Sequence, residues 1–75
     1  MSERELTEKE ILQLEKGSRI RIGDVTTRVD CYLRHMSFYT DDWFTDSYGN
    51  QSTCYGVDKG AEQYDIGKLP VYLVL

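Results

Sequence analysis

The sequence predicts a mostly β fold, a small curled sheet or barrel of five to six short strands behind a short N-terminal α-helix. Three observations predict it. From residue 18 onward, apolar and polar side chains alternate with the period of a strand. Clusters of turn-forming residues recur at the spacing of small all-β domains. Nine aromatic residues among 75 (six Tyr, two Phe, one Trp) can each bury roughly 150–250 Å², enough to build a core in a short chain. At this length only one core is expected, so residues 1–75 are read as a single domain, with a capped helix in 1–16 and the barrel or curled sheet in 18–75.

The helix is predicted from a capping box, Thr7-Glu8-Lys9-Glu10. The Thr7 hydroxyl can accept from the Glu10 amide, while the Glu10 carboxylate reaches back to the Thr7 amide. Leu6 before the cap and Ile11 after it are spaced for a hydrophobic staple. Ile11, Leu12 and Leu14 give a narrow apolar stripe, and Gly17 is placed to end a helix of two to three turns.

A hairpin follows. Ser18-Arg19-Ile20-Arg21-Ile22 alternates, and Gly23-Asp24 suits a two-residue turn with glycine first. This sets Ile22 against Val25, Ile20 against Thr27 and Arg19 against Arg28. Val29, Cys31 and Leu33 extend the apolar face, and the opposite face carries Arg19, Arg21, Arg28, Arg34, Asp30 and Tyr32. The second strand is expected to run on through Phe38-Tyr39 with a bend near His35, since long bent strands let small barrels close. Trp43-Phe44-Thr45 reads as a short strand or pinned loop, and Ser47 to Gln51 as a turn. Ser52 to Val57 is a strand, Asp58-Lys59-Gly60 a turn, Glu62 to Ile66 a short strand, and Gly67-Lys68 a further turn. Pro70 opens the closing strand, where proline is tolerated. Apolar on both faces, Val71 to Leu75 is either central in the sheet or an unprotected edge inviting a homodimer. The layout resembles an SH3-like barrel with an added helix.

Charge is polarised along the chain. Residues 1–16 carry three basic and five acidic side chains, residues 17–36 four and two, and residues 37–75 two and six, for a net charge of −4. An acidic balance disfavours non-specific attraction to nucleic acid or anionic membrane. No stretch approaches the ~20 apolar residues of a membrane span. Met1–Lys16 is charged throughout and has no apolar signal core, so the expected setting is cytoplasmic and reducing. Asn50-Gln51-Ser52 then matches the glycosylation pattern by chance.

Two candidate surfaces stand out. The acidic and aromatic stretch supplies Asp41, Asp42, Trp43, Phe44, Asp46 and Tyr48, residue types suited to a partner-binding surface. The arginine face supplies Arg19, Arg21, Arg28 and Arg34, with Tyr32 available to stack, as an anion site. Its bland counterpart is a stripe neutralised by neighbouring carboxylates. Metal and cofactor chemistry finds no support. The acidic stretch lacks the order of a calcium loop. On one strand, Cys31 and His35 would stand roughly 13 Å apart, too far to share zinc with Cys54. The six glycines sit singly, so no phosphate loop exists. The expectation is a non-enzymatic binding module that acts stoichiometrically on a protein partner, as a monomer or homodimer. An acidic mimic of nucleic acid is second, and direct nucleic-acid binding through the arginine face third.

Overall fold

A computed structural model of the chain describes residues 2–34, 37–45, 48–57 and 66–75, with the backbone alone at Arg34. The elements are β1 (Glu3–Glu5), α1 (Glu8–Ile11), β2 (Arg19–Ile22), β3 (Val25–Arg34), β4 (Ser37–Thr45), β5 (Gln51–Gly56), a 3-10 turn η1 (Ile66–Lys68) and β6 (Val71–Val74). All described pairings are antiparallel, in one sheet ordered β1-β6-β2-β3-β4-β5. Among the described residues the sheet is open, with β1 and β5 as its edges, and these strands do not close into a barrel.

The open sheet nevertheless curls around one core. Ile20, Ile22, Val29, Phe38, Phe44, Tyr55 and Val71 are buried to within 2%, which one flat layer capped by a single helical turn cannot achieve. The curl brings the two ends of the order together. The Tyr55 hydroxyl on β5 donates to the Leu69 carbonyl just before β6, at 2.6 Å. A Cβ on Gly67 would strike the Gly56 carbonyl and come within 2.9 Å of the Val57 carbonyl carbon. Only glycine lets η1 lie this close to the end of β5.

The hairpin of β2 and β3 has the expected register: Ile22 against Val25, Ile20 against Thr27, Arg19 against Arg28. Gly23 supplies the positive φ (57°) that the first position of a tight hairpin turn requires. The capping box also forms, with Glu10 N–H donating to Thr7 Oγ1 at 3.2 Å and Thr7 N–H to Glu10 Oε1 at 3.0 Å. Leu6 and Ile11 are both buried, as a staple needs. The Thr7 backbone bond, reinforced by Arg4, holds the Glu10 carboxyl below its usual range.

Four expectations are corrected. The helix is one turn, not two to three. Past Ile11 the chain tightens into i→i+3 bonds (Gln13 to Glu10, Leu14 to Ile11), and Gly17 N–H goes to Val29 O at 2.7 Å to begin the sheet. The residues before the helix form β1, whose charged Glu3-Arg4-Glu5 run shows no strand pattern and is held by pairing with β6. The expected long strand through Phe38-Tyr39 is two strands, since β4 turns back to pair with β3. Finally, the apolar face does not continue through Cys31 and Leu33. Val29 pairs with Thr40, but Cys31 pairs with Tyr39, so Asp30 is one residue too many on β3. This bulge shifts the alternation by one. Tyr32 therefore turns inward to an edge-on contact with Phe38 (5.6 Å between centroids), and Leu33 is left 52% exposed.

At the C-terminal end, Ile66, Gly67 and Lys68 form the 3-10 turn rather than a strand end and a separate turn. The expected turn at Asp58-Lys59-Gly60 and the expected strand from Glu62 through Asp65 lie outside the described residues. β6 is internal, flanked by β1 and β2, which accounts for its apolar character on both faces.

Candidate functional site

The ladder between β4 and β5 is broken in a way that exposes the acidic stretch. Tyr39 pairs with Cys54 and Phe44 with Ser52, so five steps along β4 match only two along β5. The surplus residues make a wide irregularity within β4. Thr40, buried at 4%, holds the base of the loop: its hydroxyl donates to the Asp42 carbonyl at 2.7 Å and lies 3.4 Å from the Thr53 carbonyl. Asp41, Asp42 and Trp43 are all exposed, Trp43 at 64%. Phe44 closes the loop by re-entering the core, 2% exposed, with its ring 6.0 Å from that of Tyr55. Phe44 thus anchors the surface from beneath and is not part of it, correcting its place in the expected site. Tyr48 is 58% exposed on the turn beyond. Asp46 lies outside the described residues.

The arginine face is divided among separate tasks. Arg21 is half-buried and structural. Its Nε lies 3.0 and 3.1 Å from the two Glu3 carboxylate oxygens, its guanidinium sits 4.1 Å over the Tyr72 ring, and it also donates to the Gly23 carbonyl. It clips β1 to β2 across the intervening β6. The hydrogen bond to Glu3 raises its pKa further. Arg28 lies opposite Arg19 in the register, with its Nε 3.7 Å from Asp41 Oδ2. Arg19 has no ion-pair partner among the described residues. Arg34 closes β3, and its side chain lies outside the described residues.

Tyr32 is not on this face at all. The Asp30 bulge sends it to the core side, where its hydroxyl donates to the Ile11 carbonyl at 3.3 Å and burial raises the phenol pKa. Stacking by Tyr32 on the arginines is excluded by that placement.

The two candidate surfaces meet. Arg19, Thr26, Thr27 and Arg28 on the β2–β3 side and Asp41 and Asp42 on the β4 side surround a shallow polar depression of about 300 Å³. Both charge signs share one surface, with Trp43 next in sequence to the acidic pair. Sequence reasoning missed Thr40, whose hydroxyl reads as ordinary strand composition, and the link from Arg28 to Asp41, which depends on how the bulge folds.

Among the described residues, the two cysteines are not arranged as an activated nucleophile. Cys31 and Cys54 are free thiols and stand on either side of Tyr39 in the register. Burial, with a smaller contribution from Cys31, raises the Cys54 thiol pKa, opposite to the activation a nucleophile needs. Among the described residues, no three His, Cys, Asp or Glu side chains converge to hold a metal ion. No described helix is long and apolar enough to cross a membrane. No protein-family model, curated protein or solved structure matches the chain.

Proposed function

We propose that the chain is a small, non-enzymatic binding module that acts stoichiometrically on a protein partner through the surface around Trp43. One observation carries the reading: the only tryptophan in the chain is 64% exposed on a loop that a buried threonine and a buried phenylalanine hold in place. Exposing a large aromatic on a pinned support forgoes burial that a 75-residue domain can ill spare. Tryptophan is also the residue type most enriched at binding hot spots. Arg19, Arg28, Asp41 and Asp42 beside it supply charges of both signs, which set the register and orientation of a partner more than its affinity.

The order of the sheet, with the last strand beside β2 and a 3-10 turn just before it, supports an SH3-like reading of the fold. A reducing, cytoplasmic setting belongs to the same proposal and is supported by the two free thiols. The mixed charge of the depression favours a protein partner over nucleic acid, because Asp41 lies against Arg28 and Arg21 is already bound to Glu3.

Trp43→Ala tests the proposal. The variant is expected to keep the native circular dichroism spectrum and a cooperative melt, yet to lose capture of the partner that the wild-type chain retains from its native source. Because Trp43 is the only tryptophan, its fluorescence should also shift when the purified partner is added. Equal capture by the variant, or a partner that leaves the fluorescence unchanged, overturns the reading.

A further inference from the structure

The four charged residues around the depression do not neutralise one another evenly. Arg19 of β2 stands opposite Arg28 of β3, and one step beyond the Val29–Thr40 pair the same row reaches Asp41 of β4. The alternate residues Ile20, Thr27, Val29 and Thr40 are buried, so Arg19, Arg28 and Asp41 share the outer face of the sheet. Arg28 and Asp41 meet at 3.7 Å, a long contact between side chains 65% and 47% exposed, which offsets little of the repulsion between the two arginines. Arg19 and Asp42 have no ion-pair partner among the described residues, and both line the depression of about 300 Å³. They stand on β2 and β4 with β3 between, two strand spacings or ~9–10 Å apart at the backbone.

This arrangement selects an occupant by its charges. A segment that is acidic throughout is drawn to Arg19 but meets Asp41 and Asp42, and at longer range it meets the net charge of −4. A segment that is basic throughout meets Arg19 and Arg28. A segment carrying one charge of each sign on one face satisfies both walls. Its carboxylate can take the planar fork of an arginine with two oxygens, and placed near Arg19 it also relieves the repulsion from Arg28. In an extended peptide, side chains two residues apart lie on one face, roughly 6–7 Å from each other, and long acidic and basic side chains reach the remainder.

Resting on the reading of the Trp43 surface as the recognition site, we infer that the depression seats an extended segment of the partner protein with opposite charges two residues apart. The carboxylate of the segment pairs with Arg19 and its ammonium or guanidinium with Asp42. Trp43 is the next residue along β4, which gives the basic end an aromatic neighbour. Nucleic acid does not fit, because its charges are all of one sign.

The test is a nuclear magnetic resonance titration of the full chain with short acetylated and amidated peptides, centred on Glu-Ala-Arg, Glu-Ala-Glu or Arg-Ala-Arg in an otherwise uncharged background, and with an oligothymidylate. Exposed ion pairs are weak, so the Glu-Ala-Arg peptide should bind with a Kd of about 1–10 mM. It should move the signals of the Arg19 side-chain Nε–H and the Asp42 amide, less so in high salt. The other two peptides and the oligothymidylate should bind several-fold more weakly. Arg19→Gln and Asp42→Asn alter exposed side chains and should each weaken the Glu-Ala-Arg peptide several-fold. The changes should also cross: Arg19→Gln should improve binding of the Arg-Ala-Arg peptide, and Asp42→Asn that of the Glu-Ala-Glu peptide, which a loss of fold would not produce. Equal binding of the three peptides, preference for a probe of one sign, or unmoved Arg19 and Asp42 signals at about 10 mM Glu-Ala-Arg peptide each overturns the inference. Partner capture keeps the two readings apart. Capture lost in Trp43→Ala but retained in Arg19→Gln and Asp42→Asn overturns this inference alone, whereas capture retained in Trp43→Ala overturns the recognition surface beneath it.

Discussion

Replacing Phe44 with alanine and, separately, Trp43 with alanine removes two neighbouring aromatic side chains with opposite consequences. Phe44 is 2% exposed and lies against Tyr55 with the two rings tilted at 48°. Removing a side chain of that kind from a core costs about 3–5 kcal/mol. The whole stability of a domain this size is itself only ~3–5 kcal/mol. Phe44→Ala should therefore be largely unfolded at room temperature. Trp43 has about a third of its surface covered, or roughly 80–90 Å² of an aromatic's ~250 Å². At ~25 cal/mol/Å² that is about 2 kcal/mol, an upper bound because the unfolded chain buries part of the same surface. A loss of about 1 kcal/mol lowers the melting temperature by roughly 4–8 °C and keeps the transition cooperative. Thermal and urea melts followed by far-ultraviolet circular dichroism separate the two cases. Comparable losses in both variants, or a larger one for Trp43→Ala, would refute the division of this pair into anchor and surface.

Three further outcomes follow from the core and the sheet. Tyr55→Phe removes the 2.6 Å bond to the Leu69 carbonyl and should cost about 1–3 kcal/mol, read as a lower urea midpoint at constant slope. Burial, helped by the charge of Glu8, holds the Tyr55 phenol far above its ordinary pKa. Stability is therefore complete below about pH 10, where an unfolded tyrosine starts to ionise, and declines as pH rises further. Tyrosinate absorbance should show Tyr55 titrating only with unfolding. Gly67→Ala drives a methyl into the Gly56 carbonyl and the Val57 backbone, and should cost about 1–3 kcal/mol by overpacking, with a lowered melting temperature as the measure. Deleting Asp30 should leave the chain folded, because it removes the surplus residue and Val29-Cys31-Tyr32-Leu33 then alternates regularly with Tyr32 still inward and Leu33 outward. Asp30→Ala should be near neutral, since Asp30 is exposed. A deletion variant in which Tyr32 loses its protection would remove the bulge from the explanation.

What the sequence made legible was local and periodic. The β2–β3 register could be read because Gly23-Asp24 fixes the turn and each following pair is then determined. The capping box could be read because both its bonds join residues three apart. β1 could not, since Glu3-Arg4-Glu5 has no strand propensity and depends on backbone bonds to β6, some seventy residues away. The arginine face was legible as a set of residues but not as a charge balance. Arg21 is matched by Glu3 on β1 and Arg28 by Asp41 on the β4 loop, two elements whose position no period in the sequence announces.

The larger gaps share one physical cause. A bulge adds a residue without changing composition, so period-two reasoning passes through Asp30 undisturbed and assigns Cys31, Tyr32 and Leu33 to the wrong face. The same kind of irregularity, larger on β4, takes Asp41, Asp42 and Trp43 out of register with β5 and leaves their side chains exposed. In both places alternation fails where a polar or aromatic group is released from the core or drawn into it. The core then depends on Tyr32, Phe38, Phe44 and Tyr55 keeping their inward places, and the surface on Thr40 holding the loop open. β5 takes up none of the surplus residues, and its buried end, Tyr55 and Gly56, meets the segment that leads into β6.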